Sequence, residues 1–456
     1  MAKLVLATVL LGCCSCAVWS LNDRLREVFS WRQVDFEFPD QRTRQAAIAS
    51  GEYVQANNLP LGLEVWRDKL FITVPRWKAG VASTLNYVPL GSSGSNRNHS
   101  PALIPYPSYE MNQLPTRRQR ASDHIVNTFR LSVDHACDRL WVIDMGQANG
   151  TRHGPPQLFV IDLNTDRVIR QFTVTAGLMR PAGSVQDTWF PGLIADSEAG
   201  ACDRSFAYMP DLAWGLVVYS FRHNAAWRLE HPYFYFDPMA TVFNIGGVRL
   251  EWLDGAFGVA LSARHADGYR TLYFHSMAST RMFSVNTRVL QANRSAADAV
   301  DEFRHHGHRL TGMQAGSLAA DTGATGALFY ALVNQDAIGC WNPGRSDHHG
   351  PETTAVLARD PVRLNFPADV KVDAASNVWV LSDRMPRWRF RFGDFDLNDV
   401  NYRVFSGPAA ELVRGTVCEP TAGRPSSRPT YYGGGGQAAT EEPEESGDQG
   451  WSSPGN

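Results

Sequence analysis

Several features that mark whole classes of proteins are absent from this sequence of 456 residues. Neither sign of charge is in excess, because 43 basic residues face 46 acidic ones and the formal net charge is −3. A nucleic-acid-binding protein needs a basic patch to neutralise phosphates, so we expect no nucleic acid partner. After residue 20 no apolar run is long enough to span a bilayer, so we expect no membrane contact in the mature chain.

The common catalytic signatures are also missing. The sequence has no Gly-x-Ser-x-Gly nucleophile elbow, no phosphate-binding glycine loop and no His-Glu-x-x-His zinc motif. Two short stretches contain five clustered histidines, which we expect to be solvent-exposed loop residues rather than metal ligands: His305, His306, His308, His348 and His349. The sequence therefore predicts no metal and no cofactor. It favours a binding or structural role over an enzymatic one.

Cysteine is scarce, and three of the seven cysteines lie in the N-terminal segment MAKLVLATVLLGCCSCAVWS. Its lysine, short apolar stretch and small residues are typical of a secretory signal peptide, which we assign to residues 1–20. The remaining cysteines are Cys137, Cys202, Cys340 and Cys418. An even number in an oxidising compartment indicates two disulfides, with three possible connectivities. Asn98, Asn149 and Asn293 begin glycosylation tripeptides, and we expect a secreted, extracellular protein.

Short β-rich runs dominate the rest of the sequence. Six of them read as buried central strands: 69–76, 139–146, 205–212, 257–263, 327–334 and 377–384. Their spacing of roughly 50 to 70 residues fits one four-stranded blade each. We predict an all-β fold, a six-bladed β-propeller over residues 21–418, followed by a disordered low-complexity tail at 419–456. A pair of β-sandwiches is the alternative, but it would not require six similar units.

The positions of the cysteines relative to these strands favour one disulfide pairing. Cys137 and Cys202 each lie in the turn before a central strand, in successive blades. Cys340 follows the fifth such strand, and Cys418 could anchor the end of the folded chain. We therefore predict the disulfides Cys137–Cys202 and Cys340–Cys418.

Several segments resemble the Yellow/major royal jelly protein family: 57–90, 100–112, 133–146, 267–279, 334–342 and 366–386. The resemblance covers about residues 28 to 418, and the segment EVFSWRQVDFEFP (27–39) is most similar to the pigmentation members. It implies a six-bladed propeller, secretion and a role in insect cuticle melanisation. Some relatives convert dopachrome, others bind biogenic amines in the central channel, and others are nutritional, so the fold alone does not settle the activity.

The candidate site is a ring of loops. In a propeller, the loop after the second strand of each blade opens around the axial channel on one face. These loops contain polar or aromatic residues here: Arg76, Trp77, Asp144, Asp211, Arg264, His265, Asn334, Asp336 and Asp383. Carboxylates would bind an amine, arginine a carboxylate and tryptophan an aromatic ring, which suits a small aromatic amine or quinone. That Asp and Asn simply form turns is an equally open alternative.

Two classes of function follow. In the first, the protein is required for cuticle melanin pigmentation and binds dopa- or dopamine-derived intermediates, or another biogenic amine, with cuticle components as a further candidate partner. In the second, it is a dopachrome-converting isomerase, which needs only a base and an oxyanion partner. Asp383 and Arg384 are the candidate catalytic pair. We favour the first class.

Overall fold

The computed structural model describes residues 24–91, 100–180, 187–293 and 297–421. The signal peptide expected at 1–20, the acceptor Asn98 and the part of the expected tail after residue 421 lie outside these described residues. None of the helices in these ranges is long and apolar enough to cross a membrane.

Six four-stranded antiparallel sheets form the fold and confirm the predicted six-bladed propeller. With strands numbered along the chain, blade 1 contains β2 (Gly62–Trp66), β3 (Lys69–Thr73), β4 (Leu85–Pro89) and β5 (Ile104–Pro105). Blade 2 contains β6 (Thr128–Asp134), β7 (Arg139–Asp144), β10 (Gln157–Asp162) and β11 (Arg167–Thr173). Blade 3 contains β12 (Ile194–Asp196), β13 (Phe206–Asp211), β14 (Gly215–Ser220) and β15 (Ala225–Glu230).

The remaining blades follow the same order from the innermost strand outward. Blade 4 contains β18 (Ala256–Leu261), β19 (Thr271–Ser276), β20 (Arg281–Asn286) and β21 (Arg304–His308). Blade 5 contains β22 (Leu318–Ala320), β23 (Leu328–Leu332), β24 (Ala337–Trp341) and β25 (Thr354–Arg359). Blade 6 contains β26 (Pro367–Val372), β27 (Asn377–Ser382), β28 (Tyr402–Pro408) and the N-terminal strand β1 (Arg26–Trp31).

Smaller elements lie in the connections. Two hairpins join β8 (Gln147–Ala148) to β9 (Thr151–Arg152) and β16 (Val242–Ile245) to β17 (Val248–Glu251). The helices are α1 (Gln41–Ser50), α2 (Thr287–Gln291), α3 (Met385–Phe390) and α4 (Ala409–Val413). Short 3₁₀ turns occur at Gln55–Asn57, Glu110–Asn112, Ala121–Asp123, Ala176–Leu178, Cys202–Arg204, Pro232–Phe234, Pro238–Ala240, Ala297–Glu302 and Phe392–Asp394.

The first strand of the chain closes the ring. β1 pairs antiparallel with β28, with Trp31 opposite Tyr402 and Arg26 opposite Ser406. Both Trp31 and Tyr402 are buried. Blade 6 therefore holds both ends of the propeller in one sheet, and β1 covers the edge of β28.

Five of the six predicted central strands are second strands of their blades, but the interpretation of 257–263 was wrong. That segment forms β18, the innermost strand of blade 4, and the second strand is β19. Arg264 and His265 therefore do not belong to the predicted ring. Arg264 forms an ion pair of 3.0 Å with Asp196, the last residue of β12, at the opposite end of the inner strands. Both inner and second strands are buried and apolar, so their pattern alone could not distinguish them.

Both predicted disulfides are present. Cys137, in the β6–β7 turn, is joined to Cys202, just before β13, with 5.8 Å between the Cα atoms. Cys340, on β24, is joined to Cys418 near the end of the described chain, with 6.3 Å between the Cα atoms. One bridge thus links blades 2 and 3, and the other fastens the C-terminal segment to blade 5. Each is expected to contribute about 2 to 4 kcal/mol to stability.

Candidate functional site

Arg76 follows β3 on the face where the predicted ring lies, and its side chain is buried. Its guanidinium donates hydrogen bonds to the backbone carbonyl oxygens of Val81, Ala82, Asn112, Ile125 and Val126. Burial lowers the pKa of Arg76 to about 10, so the group stays charged at neutral pH. Arg76 therefore ties the blade 1 loop to the segment that leads into blade 2, and its donors are used within the protein.

Asp144 and Asp211 end the second strands of blades 2 and 3 and are also buried. Asp144 accepts hydrogen bonds from the backbone N–H groups of Val126, Asn127 and Gly146, at 3.0, 2.6 and 3.0 Å. Burial raises the pKa of Asp144 to about 6. Asp211 accepts from the backbone of Trp189 and Ala213 and from the guanidinium of Arg228, at 2.9, 3.0 and 2.6 Å. Both carboxylates hold their own turns together.

Asn334 and Asp336, after β23, are half-buried and fasten neighbouring loops. The Asn334 side-chain oxygen accepts from the Asn244 backbone N–H at 2.8 Å, which attaches the β16–β17 hairpin to blade 5. Asp336 accepts from the Phe366 backbone N–H at 3.0 Å, at the entry to blade 6. These two residues therefore connect adjacent parts of the ring.

Asp383 differs from the other aspartates of the ring. It is fully buried, and its Oδ1 accepts from the Met385 backbone N–H at 2.9 Å. Its Oδ2 has no hydrogen-bond partner among the described residues. Burial raises the pKa of Asp383 well above its usual value, and the charge of Arg130 opposes this shift only in part.

Arg384, the second residue of the candidate catalytic pair, bonds elsewhere. Its guanidinium donates to Asp399 at 2.5 Å and to the side-chain oxygen of Asn401 at 3.1 Å. The sequence neighbours Asp383 and Arg384 therefore do not act as one unit, and the cation that influences Asp383 is Arg130.

An ion pair that the sequence analysis missed spans the axial channel. Arg130, the third residue of β6, donates to the Pro191 carbonyl of blade 3 at 3.3 Å, and its Nε lies 3.4 Å from Asp369 Oδ1 of blade 6. Its guanidinium carbon lies 4.8 Å from the ring centroid of Phe257 in blade 4. Asp369 also accepts from the Leu63 backbone N–H of blade 1 at 3.0 Å. Through these contacts the ion pair joins blades 1, 2, 3, 4 and 6.

A second ion pair lies further along the same inner strands. Lys371 Nζ is 3.1 Å from Glu64 Oε1 and donates to the Leu131 carbonyl at 2.8 Å. Burial raises the pKa of Glu64, and the positive charge of Lys371 opposes that shift. Because Glu64 is also largely buried, this level of the channel offers little surface to a ligand. Space for a ligand is therefore expected at the loop face.

At the loop face, aromatic rings surround the channel opening. Trp77 contacts Phe129 with 5.0 Å between ring centroids, and Phe129 contacts Trp189 at 5.1 Å. Trp77 also lies 6.4 Å from Trp388, so the tryptophans of the sequence repeats VPRW (74–77) and MPRW (385–388) meet in space. Trp77 and Trp189 are only half-buried. We call Trp77, Phe129, Trp189, Phe257 and Trp388 the aromatic mouth.

The rim of the aromatic mouth is positively charged. Lys78 Nζ lies 3.8 Å from the ring centroid of Trp388, and the guanidinium carbon of Arg389 lies 5.6 Å from that of Trp77. Within the described ranges, no carboxylate lies within 4 Å of either cation. Burial, followed by the charge of Arg389, lowers the pKa of Lys78 to about 8. The two cations thus repel each other without a local counter-charge.

Comparison with known proteins identifies the family. Residues 126–418 match the sequence model of the family described as major royal jelly protein. Protein yellow of Drosophila guanche is 38% identical over 424 residues, which is 91% of this chain and 70% of that protein. Protein yellow of Drosophila yakuba is 38% identical over 403 residues, which is 87% of this chain and 71% of that protein. The chain belongs to the Yellow/major royal jelly protein family.

Similarity to solved structures is much lower. Virginiamycin B lyase from Staphylococcus aureus aligns with a TM-score of 0.38 and 9% sequence identity, covering 77% of this chain and 96% of the lyase. This level of similarity has no bearing on what the Yellow-family chain binds.

In this Yellow-family chain, the described residues contain no group of three or more His, Cys, Asp or Glu side chains arranged to hold a metal ion. The expectation that all five clustered histidines are solvent-exposed was wrong for two of them. His306, on β21, and His349 are buried, because their rings pack against Trp341 with centroid distances of 5.2 and 5.1 Å. The local sequence around these two histidines does not show that Trp341, on a different strand, packs against them, so their burial could not be predicted.

The two described glycosylation acceptors are accessible. Asn149 lies in the turn between β8 and β9, and Asn293 follows α2; both side chains are exposed. Both residues adopt positive φ angles, 45° and 49°, which asparagine tolerates in tight turns. Glycosylation at these positions stays a prediction.

Proposed function

We propose that this Yellow-family chain is a secreted protein that acts in cuticle melanin pigmentation by binding a dopa-derived aromatic anion at the aromatic mouth. Membership of the family, relatives named Protein yellow and two disulfides support the pigmentation and secretion parts of the proposal. The single observation that carries the ligand class is the combination of half-exposed tryptophan rings with rim cations that lack local carboxylates.

The charges at the mouth favour a carboxylate over an amine. The carboxylates of Asp144 and Asp211 are used by backbone N–H groups, and burial keeps Asp383 protonated to higher pH than usual. A protonated amine would therefore meet Lys78 and Arg389 with no free carboxylate nearby. An indole-quinone or catechol that has a carboxylate can stack on Trp77 and pair with the rim cations.

A dopachrome-converting activity is the second candidate, and one observation favours it. Asp383 has a raised pKa and a buried Oδ2 that has no hydrogen-bond partner among the described residues, so it could accept and return a proton. The cation closest to this role is Arg130 rather than Arg384, since Arg384 is paired with Asp399. Ligand binding requires only the aromatic mouth, whereas dopachrome conversion would also require the substrate to reach the buried carboxyl of Asp383.

The test compares ligands that differ in charge. Isothermal titration with indole-2-carboxylate, indole and dopamine should give a micromolar Kd for the carboxylate, equivalent to about 8 kcal/mol, and at least tenfold weaker binding of dopamine. Arg389→Gln and Lys78→Gln should each weaken carboxylate binding several-fold, while the exposed Arg167→Gln on β11 serves as the matched control. Equal affinity for the carboxylate and dopamine would overturn the ligand assignment.

A parallel assay separates binding from conversion. Loss of dopachrome absorbance is followed with wild type, Asp383→Asn and heat-denatured protein. If dopachrome is lost faster with wild type than with heat-denatured protein, and Asp383→Asn is no faster than the heat-denatured sample, this chain is an isomerase. Equal rates in all three samples are expected from a binding protein.

A further inference from the structure

Three basic side chains are buried together between blades 4 and 5, away from the aromatic mouth. Arg309 follows β21, His275 lies on β19, and His349 lies between β24 and β25. Each of them has no solvent-exposed surface. Arg309 and His349 both pack against Tyr330, and burial, followed by the charge of Arg309, lowers the pKa of both histidines.

Arg309 is a buried cation without a carboxylate. Its Nε donates to the Met313 carbonyl at 2.8 Å and one terminal nitrogen donates to the Ser279 carbonyl at 3.4 Å. The other terminal nitrogen, Nη1, has no hydrogen-bond partner among the described residues, and no carboxylate of the described residues lies within 4 Å. The guanidinium carbon lies 4.9 Å from the ring centroid of Tyr330. Burial lowers the pKa of Arg309 to about 10, so the group is still charged at neutral pH.

His349 lies against the same tyrosine. Its ring centroid is 6.0 Å from that of Tyr330 and 5.1 Å from that of Trp341. Neither ring nitrogen of His349 has a hydrogen-bond partner among the described residues. A neutral imidazole always has one N–H, so His349 offers at least one unused donor. His275 differs, because its Nδ1 lies 3.2 Å from the Ser276 carbonyl, which holds the proton there and leaves Nε2 as an acceptor.

The energetic cost of this arrangement points to a counter-charge. A buried cation that lacks an anionic partner costs several kcal/mol, and buried donors in native proteins are almost always satisfied. The neighbouring backbone also limits the size of an occupant. A Cβ on Gly258 would lie 2.4 Å from His275 Nε2, and one on Gly307 would lie 2.7 Å from the His349 carbonyl oxygen. The backbone is therefore closely packed beside His275 and His349, which favours a small occupant.

We propose that Arg309 and His349 bind a small monovalent anion, such as chloride, between blades 4 and 5. Arg309 Nη1 supplies a charged donor and His349 a neutral one, and both side chains pack against Tyr330. The anion neutralises the buried guanidinium and so stabilises the packing of blade 4 on blade 5. This site is independent of the aromatic mouth and does not rest on the proposed pigmentation role.

The first test measures thermal unfolding of the full chain at pH 7 in sodium chloride, sodium bromide and sodium gluconate of equal ionic strength. Gluconate is too large for the site, so the halides should raise Tm by about 3 °C at roughly a hundredfold excess over Kd, with a saturating dependence on concentration. Equal Tm values in all three salts would overturn the proposal.

The second test locates the ion and uses adjacent histidines as a matched pair. Crystals grown in bromide should show an anomalous scattering peak beside Arg309 and His349; an ordered water there, with no anomalous signal, would overturn the proposal. His349→Gln should remove the halide dependence of Tm. The exposed His348→Gln, which loses only a surface contact of 3.2 Å with Glu352, should keep it. Should His349→Gln fail to fold, the bromide peak in wild type still decides the question.

Discussion

At the scale of single residues, three aspartates in equivalent turns have different environments. Asp144, Asp211 and Asp383 each accept a hydrogen bond from the backbone N–H two residues further along. Asp144 and Asp211 gain two or more further donors from neighbouring segments, whereas Asp383 gains none among the described residues. The same turn residue therefore serves the fold in two blades, and in the third it is a buried carboxyl with one oxygen unpaired among the described residues.

Asp383→Asn should stabilise the protein increasingly as pH rises. The folded-state pKa of Asp383 is raised above its unfolded value, so the favourable contribution of the carboxyl is present below the unfolded pKa and is lost as pH rises through the folded pKa. An amide avoids that loss. Urea unfolding at pH 5 and pH 8 should therefore show a larger gain for the variant at pH 8.

Asp144→Asn should give the opposite sign in that experiment. Its carboxylate accepts three backbone N–H bonds, and an amide cannot accept all three, so the variant should lose about 1 to 3 kcal/mol of unfolding free energy. If Asp383→Asn gained no more at pH 8 than at pH 5, Asp383 would have to be paired in solution.

The sequence revealed only part of the candidate site. Trp77 and Asp383 could be placed on the loop face because each follows a recognisable second strand. The number of hydrogen-bond donors that reach each aspartate depends on segments distant in the chain. The local sequence around the aspartate therefore does not predict it. Arg130 and Asp369 did leave a signal, since a charged residue inside an apolar inner strand is unusual and indicates a buried partner.

At the scale of strands and blades, burial explains which elements could be predicted. The second strands β3, β7, β13, β23 and β27 are buried on both faces between neighbouring blades, so they appear as continuous apolar runs. The outer strand β11 is exposed or half-buried throughout, and β5 has only two residues. Such strands have no apolar pattern, and their pairing is imposed by the strand beside them.

The contribution of the closing strand can be measured with two N-terminal truncations. A chain that begins at Arg24 keeps β1 and should unfold like a chain that begins at Leu21. A chain that begins at Arg32 lacks Phe29 and Trp31, exposes the edge of β28, and should aggregate or melt many degrees lower. Within the longer chain, Trp31→Ala should cost about 3 to 5 kcal/mol. Matching melting curves and elution volumes for the two truncations would mean that β1 is dispensable.

At the scale of the whole molecule, Cys418 lies close to the end of the described residues and is buried and bridged to β24. The residues after 421 are rich in glycine, proline, serine and glutamate and offer little apolar surface to offset their conformational entropy. A chain truncated after residue 421 should therefore keep the melting temperature of the full chain within about 1 °C, because the segment removed has few apolar residues to contribute to a core.

Removal of the C-terminal bridge gives the contrasting result. Cys418→Ser together with Cys340→Ser should lower unfolding free energy by about 2 to 4 kcal/mol, since the bridge closes a loop with a sequence separation of 78 residues. Differential scanning calorimetry of the double cysteine variant and the truncated chain against wild type separates the effect of the bridge from that of the tail. A drop of many degrees for the tail truncation alone would show that residues after 421 pack on the propeller.

Closure of the ring by β1 and β28 also sets the order of events during synthesis. The ribosome makes the first strand of the propeller at the start and its partner almost at the end, so β1 waits unpaired while five blades emerge. At about 5 to 20 residues per second that wait lasts on the order of tens of seconds. Throughout this interval the nascent chain presents two open strand edges, and protection by chaperones matters most just before translation ends.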